Sequence, residues 1–442
     1  MTNKSHIFLS CLTTAFLMGN SLQAEEKSFL ATIAEDINLT VSKDMIIIPY
    51  VFSSDSTGFT GGAAIIKQGL FQPQTTLIAS VMYGTTQDIM TNDQEEEANF
   101  AGGFISFDNY RLPFTNRAFF SLIGFKSYFP SAVNYLSNGS NDSDEENSLT
   151  SSGDSDFLNT TFRYVLPIGE GLDNPERLYD LRNGFAMNRE GLGGGTPFTT
   201  GFTSLGLKTF YQHESYENSN YSPLPEWDTN GLRVFLEHDN TDYDLNPSRG
   251  YNFQLQFSKD FGNGDSLQSW DFLEFKYSHY FNLDTFSFTQ QNVLALNMWT
   301  GYSFSWDNDV QIDSMGEIDA HRPPPWEGAS LGGFNRMRGY DNNRFSDKAG
   351  FYATAEYRAI LNWNPLRKNE YIPVAVDWFQ VVAFAEVGRV HDTYNFDLLS
   401  DMKYDVGISL RAMAAQIPVR VDVAYGDEGT NFWVMVYQPF DF

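Results

Sequence analysis

The chain has 442 residues, with 28 basic against 56 acidic side chains, a net charge of −28 and one cysteine. Too few cations are present to neutralise the phosphates of bare nucleic acid, so nucleic acid is excluded as a partner. No segment has the eighteen or so uninterrupted apolar residues of a spanning helix, yet aromatic residues abound, with 39 Phe, 23 Tyr and 8 Trp.

The first element reads as a leader. Lys4 and His6 precede an apolar run from Ile7 to Met18, and a short polar stretch reaches Ala24 before Glu25 and Glu26. That order predicts a secretory signal peptide over 1–24, too short to cross a bilayer as a helix. Its removal takes Cys11 with it, leaving neither a disulfide framework nor a thiolate nucleophile. Residues 25–44 are expected to form a short periplasmic segment.

From residue 45 the chain alternates. In YNFQLQFS, Tyr251, Phe253, Leu255 and Phe257 fall on one side of a strand, and Asn252, Gln254, Gln256 and Ser258 on the other. FYATAEYR, YDVGISLR and PVRVDVAY repeat the pattern, with Glu356, Arg358, Asp405, Arg411, Arg420 and Asp422 on the polar side. About sixteen such runs are predicted, at 45–52, 58–67, 75–85, 100–110, 118–127, 156–167, 199–213, 228–239, 250–260, 269–282, 286–303, 350–363, 377–390, 404–414, 418–426 and 430–440. Each is close to the length that crosses a membrane when tilted. A soluble sandwich would turn the apolar faces inward. A membrane barrel would turn them to lipid, and it must be closed, because open sheet edges are not tolerated in hydrocarbon.

The connectors favour the barrel. With a periplasmic N-terminus, the long or acidic connectors 86–99, 128–155, 214–227, 304–349 and 391–403 fall outside the cell, and most others are short turns. The connector 168–198, with Gly193, Gly194 and Gly195, breaks that rule. The chain closes with NFWVMVYQPFDF, where Phe432, Val434, Val436, Phe440 and Phe442 share one parity. Such an aromatic end resembles the signal read by the outer-membrane assembly machinery. The fold class is therefore all-β, a transmembrane antiparallel β-barrel occupying 45–442. Pro49 and Pro439 each remove a ladder donor near its two edges.

Within the longest connector lies LGGFNRMRGY. Its Arg338, Gly339 and Tyr340 resemble the inward-folded sixth loop of the BamA/TamA superfamily of bacterial surface antigens, sixteen-stranded barrels of outer-membrane assembly and translocation. FAEVG, with Phe384, Glu386 and Gly388, matches that family's partner motif, with Glu in place of the usual Asp. Glu356 matches a further acid, and Pro247 and Gly250 in LNPSRGY match its periplasmic hairpin. The resemblance implies a loop plugging the lumen, pinned by Arg338. Parity agrees, since Phe384, Glu386 and Gly388 oppose Val381, Ala383, Ala385 and Val387. An Arg at the tip would give Glu386 a bidentate pair that Lys cannot, and Gly339 would supply a backbone conformation that larger residues resist. Family members that insert other proteins carry POTRA domains, which 25–44 cannot hold. A barrel-only member is therefore expected.

Other chemistry is sparse. The acidic clusters Glu95–Glu97, Asp142–Glu146 and Asp307–Asp313 read as solvated loops, without EF-hand spacing. His238, His279 and His321 sit in no nucleophile motif, and GLGGG lacks the context of a phosphate loop. No catalytic residue, metal or cofactor is expected. The partners implied are outer-membrane lipid and lipopolysaccharide, the assembly machinery during insertion, and a client that the sequence does not name. Protein assembly or translocation in the outer membrane of a Gram-negative bacterium is the expected function, and a passive channel or binding barrel is the alternative.

Overall fold

The structure, a computed structural model, describes residues 45–440 apart from 55, 92–93, 136–139, 146–147, 190–192, 218–225, 265, 314–315, 368–375 and 415. The leader, the 25–44 segment and Phe442 lie outside the described residues. Sixteen strands form one antiparallel sheet in chain order. They are β1 (Met45–Ser54), β2 (Gly58–Gln68), β3 (Thr76–Thr91), β4 (Gln94–Arg111), β5 (Ala118–Asn134), β6 (Leu149–Val165), β7 (Phe202–Glu214) and β8 (Trp227–Asp239). The second half comprises β9 (Gly250–Asp260), β10 (Trp270–Leu283), β11 (Thr289–Tyr302), β12 (Ala349–Leu361), β13 (Val376–His391), β14 (Lys403–Ala414), β15 (Ile417–Gly426) and β16 (Gly429–Val436). This meander curls into a nearly closed barrel. No ladder joins β1 to β16 among the described residues.

Exposure decides which face meets which solvent. On β9, Leu255 and Phe257 are 43% and 37% exposed, whereas Gln254, Gln256 and Ser258 are buried. On β14, Tyr404, Val406, Ile408 and Leu410 are all more than half exposed, and Asp405, Ser409 and Arg411 are buried. A water-soluble sandwich would show the reverse. The interior is polar and the outer wall apolar, as in a membrane barrel.

Two connectors are shorter than the sequence suggested. The 86–99 segment is mostly strand, since β3 and β4 run on to Thr91 and Gln94. Likewise β5 and β6 extend into 128–155 and leave only 135–148 between them. A hairpin can continue its ladder past the hydrocarbon, where an alternating pattern is no longer required.

The connector 303–348 folds into the barrel. It carries two short antiparallel ladders, Asp307–Asp313 with Gly316–Ala320 and Ala329–Leu331 with Phe345–Asp347. Leu331, Met337, Tyr340 and Phe345 pack with Trp270, Trp299, Tyr352 and Val390 of the barrel wall in one buried cluster. Each such apolar side chain contributes about 1.5–3 kcal/mol when fully buried. The loop thus occupies the lumen with its apolar side chains buried against the wall.

Candidate functional site: a loop tip locked inside the barrel

The tip is built by a local reversal. Gly332 and Gly333 have φ of 108° and 112°, and Met337 has φ 55°. The Gly333 amide donates to the Tyr340 carbonyl at 3.1 Å, and the Tyr340 amide to the Met337 carbonyl at 3.1 Å. These bonds project Arg338 towards the inner face of β12–β15. Gly339 itself does not adopt a positive φ, so its requirement is spatial rather than conformational. A Cβ there would lie 2.6 Å from the Asp405 Cβ and 2.8 Å from the Gly426 nitrogen. Gly388 is similar, since an added Cβ would lie 2.8 Å from a Leu331 methyl group.

Arg338 is fully buried. Its backbone amide donates to Glu386 Oε2 at 2.6 Å, and its Nε and Nη2 converge on Glu386 Oε1 at 3.1 and 3.0 Å. Nη2 also reaches Glu356 at 2.9 Å, and Nη1 reaches Asp422 at 3.4 Å. This differs from two parallel bonds to one carboxylate. The longer Glu side chain lets one oxygen take the backbone and the other the guanidinium. The Tyr352 hydroxyl adds a 2.5 Å bond to Oε1, the Phe384 ring lies 3.5 Å beneath the guanidinium, and Trp433 donates to the Arg338 carbonyl at 2.8 Å. Burial alone would lower the Arg338 pKa. The carboxylates of Glu386, Glu356 and Asp422 outweigh it and hold the value well above the ordinary one.

Arg411 and Arg358 donate to Glu356 at 2.8 Å each, and Arg420 pairs with Asp422. Four guanidinium groups, of Arg338, Arg358, Arg411 and Arg420, therefore meet three carboxylates, of Glu356, Glu386 and Asp422, and the Asp405 carboxyl lies beside them without a hydrogen-bond partner among the described residues. None of the eight residues is more than 1% exposed. In so dry a setting, removal of one partner costs far more than at a surface. The alternation had already placed Glu356, Arg358, Asp405, Arg411, Arg420 and Asp422 on inward faces. What it lacked was their mutual pairing, which depends on strand stagger around the barrel. Tyr340 completes the tip, its hydroxyl 2.5 Å from Asp427 and 3.1 Å from the Tyr404 carbonyl.

The mouth at which β1 begins is crossed by the connector that had no sequence-based account. Arg177 donates to Asp239 at 2.6 Å and to Thr241 at 3.2 Å. Tyr179 packs edge-on against Tyr243, and the Trp378 indole donates to the Gly184 carbonyl at 3.2 Å. Tyr179, Leu181 and Phe185 cover a cluster of Tyr243, Ile360, Trp378 and Met413. The 168–198 segment thus ties β6–β7 to the β8–β9 turn and to β13. Pro247 lies in that turn and Gly250 opens β9, where it has φ 95° and any Cβ would collide with the Asn240 carbonyl. The three-glycine stretch packs against it, Gly194 accepting from Asn240 at 2.8 Å.

The C-terminal strand ends sooner than the parity argument placed it. Phe432, Val434 and Val436 are exposed on the outer face, but β16 stops at Val436 and Tyr437 has φ 66°. Phe440 turns into the lumen and packs with Tyr280, Val293 and Ala295 beneath the Arg358 guanidinium. It therefore does not share the outer face, and Pro439 lies beyond the ladder rather than at its edge. Pro49 sits within β1, opposite Ala63 of β2.

A sixteen-strand meander with an apolar exterior, a charged interior and one long loop folded inside defines an outer-membrane type of β-barrel. An Omp85 superfamily domain matches residues 141–435, and the chain belongs to that superfamily. Among solved structures, CdiB from Escherichia coli is similar, with 12% identity and a TM-score of 0.50 over 89% of this chain and 61% of that one. CdiB from Acinetobacter baumannii shows 11% identity and a TM-score of 0.49 over 89% and 58%. BamA from Haemophilus ducreyi lacking POTRA domains 1-3 shows 13% identity and a TM-score of 0.45 over 90% and 70%. The chain spans about three fifths of the length of the two CdiB chains. At such identity the likeness to Escherichia coli CdiB speaks for the barrel fold alone. No curated protein matches the chain.

Proposed function

We propose that the protein acts in the outer membrane of a Gram-negative bacterium, in assembling other outer-membrane proteins or moving a polypeptide into or across that membrane. The observation that carries this reading is the seam, where β1 and β16 end the sheet with no ladder between them among the described residues. An unpaired strand edge is a template for another chain, since its free N–H and C=O groups add a strand at little cost. The locked loop and the strap at the other mouth support the reading further, because they leave little of the bore that sixteen strands would otherwise enclose. In this reading the Arg338 cluster holds the loop while the seam works. The barrel is itself inserted by the assembly machinery and contacts lipid and lipopolysaccharide.

Depletion tests it. Lower levels of other outer-membrane proteins, or loss of one surface polypeptide, are the expected outcome. A steady ohmic pore with a sharp size cutoff in planar bilayers, together with an unchanged outer-membrane proteome on depletion, would instead make the protein a passive channel.

A further inference from the structure

On the β7–β10 wall of the lumen, cationic side chains outnumber the carboxylates that face them. Lys208 of β7 and Arg233 of β8 are directly opposite in the ladder, and both line a cavity of about 180 Å³ between this wall and the loop. Like charges so placed repel. Lys276 and Arg336 line the same cavity, and its only lining carboxylates among the described residues are Glu274 and Glu327.

Both carboxylates are largely committed. Glu327 gives both oxygens to Arg233. Glu274 accepts from Gln256 at 2.6 Å and from the Trp299 indole at 2.8 Å, with Lys276 at 3.7 Å. Arg336 rests 4.0 Å over the Trp299 ring, and its guanidinium makes no hydrogen bond among the described residues. Lys208 makes neither a hydrogen bond nor an ion pair there. Glu237, farther along β8, acts on Lys276 without lining the cavity. Four cations thus face two acids in a chain of net charge −28. The volume far exceeds the roughly 10–15 Å³ that one water needs.

We propose that this chamber binds a small tetrahedral oxyanion of the phosphate or sulfate class, with Lys208 and Arg336 as donors. An oxyanion between Lys208 and Arg233 would replace their repulsion with charge-assisted hydrogen bonds. The polar side chains of Gln254 and Ser258 on the same wall suit a hydrated anion. The group would come either from solution or from the phosphate of a lipid headgroup.

The test reads binding and not transport, so it stands apart from the proposed function. The full chain folded in detergent micelles is titrated with sodium sulfate or sodium phosphate, against sodium chloride at matched ionic strength, and the thermal midpoint is followed. The oxyanions should raise the midpoint beyond chloride, and Lys208→Gln should weaken that response roughly tenfold or more, as expected for one charge-assisted bond. Arg336→Gln, as a second variant at the other donor, should weaken it as well. Soluble glycerol phosphate distinguishes the sources. A response to it alone points to a headgroup, and an equal response to inorganic phosphate points to the free ion. Equal effects of chloride and oxyanions, or an undiminished response in both variants, would overturn the proposal. So would a lower midpoint of Lys208→Gln in oxyanion-free buffer, because that would mean Lys208 is already satisfied within the protein.

Discussion

On the β12–β15 side of the lumen, four guanidinium groups meet the carboxylates of Glu356, Glu386 and Asp422, all fully buried. On the β7–β10 side, four cations meet two carboxylates around a cavity. The same loop serves both. Arg336 lies over Trp299 and Arg338 is locked to Glu386, and between them Met337, with φ 55°, turns the chain. One wall is mostly paired and fully buried, and so suited to hold a loop. The other has surplus charge and room, and so suited to receive something. Charge content alone does not tell an anchor from a receptor. Pairing and free volume do.

The contrast is broken most severely at Arg338. Arg338→Ala leaves Glu386, Glu356 and Asp422 buried with a missing partner, at a cost of about 3–5 kcal/mol. The variant should show a lower thermal midpoint, altered heat-modifiable gel migration and proteolysis within 303–348. Unchanged protease resistance would mean that the apolar packing of Leu331 and Phe345 holds the loop unaided. Gly339→Ala keeps every charge and tests fit alone. The new methyl group meets Asp405 and the Gly426 backbone, so about 1–3 kcal/mol should be lost, read as a shift in the urea midpoint.

The smallest effect should come at the rim of the dry wall. Tyr340→Phe removes the donor to Asp427, which is partly solvated, at about 1 kcal/mol. Burial would raise the Asp427 carboxyl, but the Tyr340 hydroxyl and Lys403 outweigh it and hold it below its ordinary range. A depressed carboxyl stabilises the fold above its unfolded-state pKa and loses that contribution as pH falls through its folded-state value. The gap between parent and Tyr340→Phe should therefore narrow on acidification. A constant gap would assign the bond to the Tyr404 carbonyl instead.

Much of this was legible in the chain. The alternation placed all sixteen strands, and parity put Glu386 inside and Val387 outside, because a strand has only two faces. Loop lengths were less legible, since β3 to β6 extend where no hydrocarbon imposes a pattern. The Phe440 turn was missed because parity was carried past the point where Tyr437 leaves the ladder. The chamber was invisible as well. Lys208, Arg233 and Lys276 come from separate strands, and nothing local marks them as neighbours.

The sequence by itself determined the barrel and its solvent assignment, because a two-residue period with apolar outer positions has one stable solution in a bilayer. Only the tertiary structure decided which charges neutralise one another and which stay in excess. That outcome depends on how far each strand is staggered around the closed wall and where the loop tip lands, and both are set by contacts between residues far apart in the chain.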